Sequence, residues 1–245
     1  DDLPPALQAL WAPIRSQALA ESDSAEAEAD ARRLVQVLAE RRMDSRSFFG
    51  RVAGEWQHHR STLFGSGFTA PALLSLLRPD WTVADLGCGS GDASRHLAPC
   101  VERVIAVDQS EAMLEAARGA VGDLPNVELL AADLEALPIA DRSIDAAIVS
   151  LVLHHVERPV DVLGEAARLL RTDRGGGTLI LIDMLAHDRD EYKRTMGHIH
   201  LGFTPAQIES MLTQAGFGAI SCRELPTSSK TKGPGLFVAA GRLTI

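Results

Sequence analysis

The stretch "TVADLGCGSGDASRHLA", Thr82 to Ala98, places three glycines at alternate positions, after a short apolar run and before a helical pattern. Glycine at Gly87, Gly89 and Gly91 lets the backbone turn sharply and approach a ligand closely. In an open α/β sheet, the loop after the first strand lines the ligand crevice. Free N–H groups at the start of the following helix attract a carboxylate or phosphate. This stretch therefore predicts a ligand-binding loop.

Three acidic residues stand at or near the ends of three successive predicted strands. Asp85 precedes the glycines, where its charge repels a pyrophosphate and attracts an ammonium group, directly or through water. Asp108 ends "VIAVD" and can accept hydrogen bonds from both hydroxyls of a ribose. Asp133 ends "LLAAD" and can accept from an adenine amino group. Asp108 and Asp133 could equally be helix caps or solvated strand ends, but together the three acids predict S-adenosylmethionine.

From Thr69 onward, short apolar runs alternate with helical patterns. The strand candidates are "TVADL", "VERVIAVD", "NVELLAAD", "SIDAAIVSLVL" and "GTLILIDML", and most are separated by helix candidates such as "SEAMLEAARGA". Such alternation predicts a parallel, doubly wound sheet. Thr204 is the predicted cap of a further helix, and the closing runs "AISCREL" and "GLFVAAGRL" predict an antiparallel pair.

Four motifs resemble those of class I S-adenosylmethionine-dependent methyltransferases. "VADLGCGSG" resembles the first motif of that family, "VDQSEAML" the second, "AADLEALP" its adenine loop and "IVSLVLHHV" its fourth strand. The resemblance extends over roughly Phe48 to Leu243 and implies a Rossmann-like, seven-stranded sheet with an antiparallel last strand. It also implies S-adenosylmethionine as cofactor and S-adenosylhomocysteine as product.

The resemblance assigns cofactor contacts by position. It implies that the glycine loop contacts the methionine end, Asp108 the ribose, Met113 the adenine face and residues 132–134 the adenine edge. Core packing is an equal alternative for Met113. The full implied set is Asp85, Gly87, Cys88, Gly89, Gly91, Asp108, Gln109, Met113, Ala132, Asp133, Leu134 and Ser150.

Methyl transfer is an in-line displacement, so the protein chiefly aligns the acceptor and excludes water, and a base is optional. His154 and His155 follow the fourth predicted strand. A neutral imidazole there can take the proton of a phenol, an amine or an acidic carbon. Because side chains alternate along a strand, one of the two is expected to enter the pocket. Each also has an ordinary interpretation as a loop or capping histidine.

Trp56, Tyr192 and His198 are the predicted acceptor-binding residues. Trp56 ends an apolar stripe with Phe48 and Val52, which either packs in the core or closes a lid over the ligand. Tyr192 and His198 follow the fifth strand, where the family inserts substrate-binding structure. His198 and His200 would face apart on a helix, so no metal is expected.

The composition excludes several partners. The formal charge of −9 and the pI of about 5.4 give no basic surface for nucleic acid. We find no run of about 18 apolar residues and no signal-peptide pattern, so neither a membrane span nor export is expected and a cytoplasmic location is the default. The three cysteines form no C-x-x-C pair and no even disulfide framework.

The chain is expected to have two parts. Residues 1–60 form a helical segment that serves as a linker, lid or dimerisation element, and residues 61–245 form the cofactor-binding domain. In "SAEAEADARRLVQVLAERRM" the apolar stripe of Ala27, Ala31, Leu34 and Leu38 predicts a surface helix or a homodimer contact.

"LHHV" and "D-x-S-x-x-M-L" resemble the small-molecule branch of the family, which includes quinone, arsenite and sterol methyltransferases. Arsenite methylation needs convergent thiolates, which Cys88, Cys100 and Cys222 do not supply from these positions. The whole chain most resembles methyltransferase domains fused behind an ArsR-type winged-helix repressor, and we expect such a domain to have been separated from this chain. The main alternative function is therefore a module that senses the cofactor or its product without turnover.

Overall fold

The computed structural model describes residues 11–14, 16–17, 25–41, 53–65, 67–173, 177–226 and 231–243. The chain divides into two compact units, Asp1–Phe68 and Thr69–Ile245. Among the residues described, no helix has both the length and the apolar character that a bilayer span requires.

In the first unit, residues 11–14 and 16–17 are helical, and two longer helices follow, α1 (Ala25–Arg41) and α2 (Trp56–Phe64). Leu34 and Val35 of α1 are 59% and 67% exposed, so this helix presents apolar side chains to solvent. Dimerisation through α1 stays a prediction. The predicted stripe residues Phe48 and Val52 lie outside the described residues.

The second unit alternates strands and helices. Its helices are α3 (Thr69–Leu74), α4 (Asp92–Leu97), α5 (Glu111–Val121), α6 (Pro159–Leu169), α7 (Glu191–Thr195) and α8 (Pro205–Gln214). Its strands are β1 (Thr82–Leu86), β2 (Arg103–Asp108), β3 (Val127–Ala131), β4 (Ala146–Ser150), β5 (Thr178–Met184), β6 (Phe217–Glu224) and β7 (Leu236–Leu243). A 3₁₀ turn, Ala98–Cys100, follows α4, and a second, Leu153–His155, follows β4.

The seven strands form one sheet in the order β3-β2-β1-β4-β5-β7-β6. Strands β1 to β5 are parallel, and β7 is antiparallel to both β5 and β6. The predicted Rossmann-like sheet with an antiparallel last strand is thus confirmed. The strand order reverses between β1 and β4, and ligands of such sheets bind beyond the carboxyl ends of the strands at this point.

Capping and burial explain the helices that flank the sheet. Ser110 caps α5, and its hydroxyl accepts from the Met113 N–H. Thr204 and Gln207 form a capping box at α8, with Pro205 in the first turn. Helix α8 buries Ile208 and Leu212 in the core, where burying a residue of this size stabilises the fold by about 1.5–3 kcal/mol.

Strand β4 ends earlier than the sequence predicts. The apolar run "SIDAAIVSLVL" continues to Leu153, whereas the strand ends at Ser150. Leu151 has a φ of 57°, the left-handed conformation that strands do not adopt. The chain then enters the 3₁₀ turn Leu153–His155, so the histidine pair lies on a turn and not on a strand.

Candidate functional site

The glycine loop is attached to the neighbouring strand by its own backbone. The N–H groups of Gly87 and Cys88 both donate to the carbonyl oxygen of Val107 in β2, at 2.8 and 2.9 Å. Gly87, Gly89 and Gly91 have φ angles of 77°, 53° and 83°, which glycine adopts at little cost. The loop therefore turns from β1 into α4 in a conformation that its sequence permits.

Asp108 holds the tip of this loop from the end of β2. Its Oδ2 accepts from the Gly89 N–H at 2.9 Å and its Oδ1 from the Ser110 N–H at 2.9 Å. Each carboxylate oxygen has a further lone pair for a ligand hydroxyl. A Cβ placed on Gly89 would meet no atom within 4 Å. A half-buried acid and open space therefore lie side by side at the edge of the sheet where the ribose is predicted.

Asp85 is buried beneath the loop, with only 1% of its surface exposed. Its Oδ2 accepts from the Ser94 hydroxyl at 2.6 Å, which ties β1 to α4. Burial raises the pKa of Asp85, and the hydrogen bonds from Ser94 oppose that rise. The observed partner of Asp85 is thus Ser94, and its contact with a cofactor ammonium stays a prediction.

Two predicted cofactor residues around α5 face solvent. Met113 is 49% exposed, so the core-packing alternative for this residue is wrong. Gln109 is also exposed, one residue after Asp108. Both side chains are accessible beside the acid that is predicted to hold the ribose.

The predicted adenine loop divides into exposed and buried positions. Asp133 is exposed, and its Oδ1 accepts from the Glu135 N–H at 2.9 Å. The Ala132 N–H donates to the Asp108 carbonyl oxygen at 3.2 Å. Leu134 is 6% exposed and packs in the core, which leaves Asp133 as the side chain open to a ligand. Ser150 lies half-buried at the carboxyl end of β4.

The side chain of Cys88, within the glycine loop, is buried in the core. It packs with Ala106 and Leu114, and the Cys88 carbonyl oxygen accepts from the Gly91 N–H at 2.9 Å. Burial, reinforced by the charges of Asp85 and Asp108, raises the pKa of the Cys88 thiol to about 12.

We expect iodoacetamide to leave Cys88 largely unmodified at pH 8. With a pKa of about 12, only about one Cys88 thiol in ten thousand is the reactive thiolate at that pH. Cys100 is partly exposed and serves as the internal control. Peptide mass spectrometry over a time course measures both, and labelling of Cys88 ahead of Cys100 would contradict the buried placement.

Three histidine rings meet beyond the ends of β4 and β5. The ring centroid of His154 lies 4.1 Å from that of His155 and 4.4 Å from that of His198. The ring centroids of His155 and His198 are 5.0 Å apart. The His154 carbonyl oxygen accepts from the N–H groups of Ile199 and His200, which holds the later segment against the turn. We call His154, His155 and His198 the histidine cluster. Both histidines lie on a 3₁₀ turn, so the strand alternation from which one of the two was expected to enter the site does not apply, and which of them meets an acceptor stays a prediction.

Asp183 is a site residue that sequence reasoning missed. It lies in β5 with no exposed surface, and its Oδ1 is 2.7 Å from Nδ1 of His154. The same oxygen accepts from the Met184 N–H at 2.7 Å, while Oδ2 is buried without a hydrogen-bond partner in the described protein. An aspartate inside the apolar run "LILIDML" was the available signal, since an acid in a buried strand needs a specific partner.

The pKa values of His155 and His198 are lowered, first by burial and then by the nearby His154. Both imidazoles are therefore neutral at neutral pH and keep a lone pair. His155 is exposed, whereas His154 and His198 are buried. The cluster thus combines a buried pair with one imidazole that solvent reaches.

The other predicted acceptor residues differ in position. The Tyr192 ring lies 5.2 Å from that of His198, and its hydroxyl accepts from Arg189 at 2.8 Å. His200 points elsewhere and bonds the Val156 carbonyl oxygen at 3.0 Å. Trp56 begins α2 in the first unit, and its contact with an acceptor stays a prediction.

Residues 84–181 match the family described as a methyltransferase domain. A 37.1 kDa uncharacterized protein of transposon TN4556 from Streptomyces fradiae is 43% identical over 42% of this chain and 30% of its own length. A demethylmenaquinone methyltransferase from Clavibacter sepedonicus is 36% identical over 41% of this chain and 40% of its own length. The chain thus aligns with less than half of either relative.

Among solved structures, an S-adenosylmethionine-dependent methyltransferase from Aquifex aeolicus superposes with a TM-score of 0.56 at 22% identity. The superposition covers 76% of this chain and 93% of that protein. At this identity the likeness shows the fold alone. Residues 84–181 are thus similar to a methyltransferase-domain family, and the chain has the Rossmann-like, seven-stranded fold of the superposed methyltransferase.

Proposed function

We propose that this chain transfers a methyl group from S-adenosylmethionine to a small-molecule acceptor. The observation that carries the proposal is the pairing of Asp108 with the Gly89 N–H beside open space. This pairing lies where the strand order reverses, at the ligand crevice of such sheets. The histidine cluster follows the ends of β4 and β5 at the same edge of the sheet, so one edge offers a cofactor side and an acceptor side.

The residues present suit the cofactor. Asp108 keeps lone pairs for two ribose hydroxyls, and the exposed Met113 offers an apolar surface to a base. Asp133 offers a carboxylate to an amino group, and the glycine loop leaves room for the amino-acid end. When bound, the cofactor supplies a methyl group on a positively charged sulfur. The protein's part is then to orient the acceptor and exclude water.

The acceptor side can remove a proton. His155 Nδ1 lies 3.2 Å from the Gly197 carbonyl oxygen and His154 Nδ1 lies 2.7 Å from Asp183. Because a carboxylate and a carbonyl oxygen can only accept, each ring carries its proton on Nδ1 in these contacts. The Nε2 atom of each neutral ring then keeps a free lone pair. His155 is the exposed member and is therefore the base that an acceptor reaches more readily. Asp183 positions His154 and does not itself touch the acceptor in this proposal.

We expect Asp108→Ala to weaken S-adenosylhomocysteine binding by at least tenfold, and by as much as about a hundredfold. The variant removes the predicted ribose acceptor, which is worth about 1–3 kcal/mol of binding, together with the hydrogen bonds from the Gly89 and Ser110 N–H groups that hold the loop. Titration calorimetry measures the affinity. Asp123→Ala is the matched control, because it removes one negative charge from the exposed turn after α5. Equal affinities for the two variants would remove the ribose assignment.

A methyl-acceptor screen tests the activity itself. The purified chain is incubated with isotopically labelled S-adenosylmethionine and a panel of phenols, amines and quinones, and products are identified by mass spectrometry. Quinones enter first because one relative is named a demethylmenaquinone methyltransferase. A labelled product whose formation slows in His155→Ala supports the proposal. Tight cofactor binding with no product across the panel would favour the sensing alternative.

A further inference from the structure

We propose that the histidine cluster binds a divalent transition-metal ion of the Zn²⁺ type through one nitrogen each of His154, His155 and His198. The candidate ligand nitrogens all lie within 4.8 Å of one another. Two nitrogens bound to one tetrahedral zinc ion at about 2.0–2.1 Å are roughly 3.4 Å apart. Side-chain shifts of about 1 Å would therefore close the site around an ion.

Two of the three imidazoles already have the outer contacts that metal-binding histidines use. A ligating histidine almost always donates its second ring N–H to a carboxylate or a backbone carbonyl, which fixes the ring and its tautomer. His154 has Asp183 as that partner at 2.7 Å, and His155 has the carbonyl oxygen of Gly197 at 3.2 Å. Both contacts are made through Nδ1, so both rings would bind the ion through Nε2.

The third imidazole has a buried nitrogen with nothing to bind. His198 is 7% exposed, and its Nδ1 is without a hydrogen-bond partner in the described protein. Leaving a buried polar atom unpaired costs about 1–3 kcal/mol. Such an atom therefore normally binds a water molecule, an ion or another ligand, or takes part in catalysis. Asp183, which contacts His154, also has a buried atom without a hydrogen-bond partner in the described protein, its Oδ2. A cation bound by the rings would offset the buried charge of that carboxylate.

The expectation of no metal was based on a different pair of histidines, His198 and His200. His198 and His200 were placed on a helix, where alternate residues face apart. Helix α7 ends at Thr195, and His200 bonds the Val156 carbonyl oxygen outside the cluster. The partners of His198 come instead from a turn more than forty residues earlier in the chain.

This site goes beyond the proposed methyl transfer and stands without it, since none of its ligands belongs to the glycine loop. An ion would occupy the same lone pair that a general base needs, so the two uses of His155 exclude each other at any moment. Three imidazoles leave a fourth position for water or for an acceptor oxygen. A hydroxyl bound there loses its proton more readily than in water.

Zinc titration of the chelator-stripped chain tests the proposal. We expect one Zn²⁺ per chain against a competing chromophoric chelator, and at least a tenfold weaker affinity in His198→Ala. We expect the same loss of zinc affinity in His155→Ala. Because His155 is exposed, this variant still tests the site if His198→Ala folds poorly. His200→Ala is the matched control from the same segment and is expected to bind normally. Substitution with Co²⁺ should give the visible absorption of a four-coordinate ion.

Wild-type zinc affinity in both cluster variants, or no binding tighter than about 100 µM, would overturn the metal site. The same preparations are titrated with S-adenosylhomocysteine so that the two proposals can fail separately. Asp108→Ala is expected to lose the adenosyl ligand and keep zinc. His155→Ala is expected to lose zinc and keep the adenosyl ligand.

Discussion

Gly87→Ala is expected to lower the free energy of unfolding by about 2–5 kcal/mol. A Cβ at this position would lie 2.3 Å from Cγ2 of Val152 and 3.1 Å from its Cγ1. Valine is stiff at χ1, and its Cβ would itself lie only 3.3 Å from the added atom, so turning the side chain would not by itself remove the crowding. Overpacking a core costs about 1–3 kcal/mol, and the positive φ of 77° adds about 1–2 kcal/mol for alanine. Urea denaturation of the purified variant measures the loss.

Gly89→Ala is the matched control in the same loop. Its φ is also positive, at 53°, but an added Cβ meets no atom within 4 Å. We therefore expect a loss of only about 1–2 kcal/mol in stability, together with weaker binding of S-adenosylhomocysteine, because the methyl group would extend into the open space beside Asp108. Equal destabilisation by the two substitutions would show that packing against Val152 is not what requires glycine at position 87.

The cofactor side of the site could be predicted because its signals are local. The glycines, Asp108 and the cap at Ser110 lie within one strand–loop–helix unit or directly after the next strand. Alternating apolar runs then predicted that these strands are parallel and neighbouring, which brings their carboxyl ends to one edge. The sheet could be predicted for the same reason, because the periodicities of strands and helices can be recognised within short segments.

The acceptor side could not be predicted in the same way because its contacts are long-range. His154 meets Asp183 and His198 across separations of 29 and 44 residues along the chain. The approach of these rings depends on where β4 ends, and the apolar run around Leu151 gave no sign of its left-handed backbone. Leu134 shows a similar limit, since the motif predicts its position in the adenine loop but not that its side chain turns into the core.

His154→Ala is expected to destabilise the chain by about 3–5 kcal/mol. Its partner Asp183 has no exposed surface, so removing the imidazole leaves a buried carboxylate without its side-chain hydrogen-bond partner. Removing one partner of a buried hydrogen bond to a charged group costs more than the bond itself contributes, because the remaining group stays desolvated. Urea denaturation in the presence of a chelator measures this loss without any contribution from a bound ion.

Two further variants separate the lost pairing from the lost volume of the ring. His155→Ala removes the same side chain from an exposed neighbouring position and one hydrogen bond to Gly197, so we expect a loss of no more than about 1 kcal/mol. The double variant His154→Ala/Asp183→Asn also replaces the buried carboxylate by a neutral amide. We expect it to be more stable than His154→Ala alone, because a buried neutral amide costs less than a buried carboxylate that has lost its hydrogen-bond partner. If the double variant were the less stable of the two, the uncompensated carboxylate could not be the cause of the loss in His154→Ala, and the assignment of Asp183 as the positioning partner of His154 would be wrong.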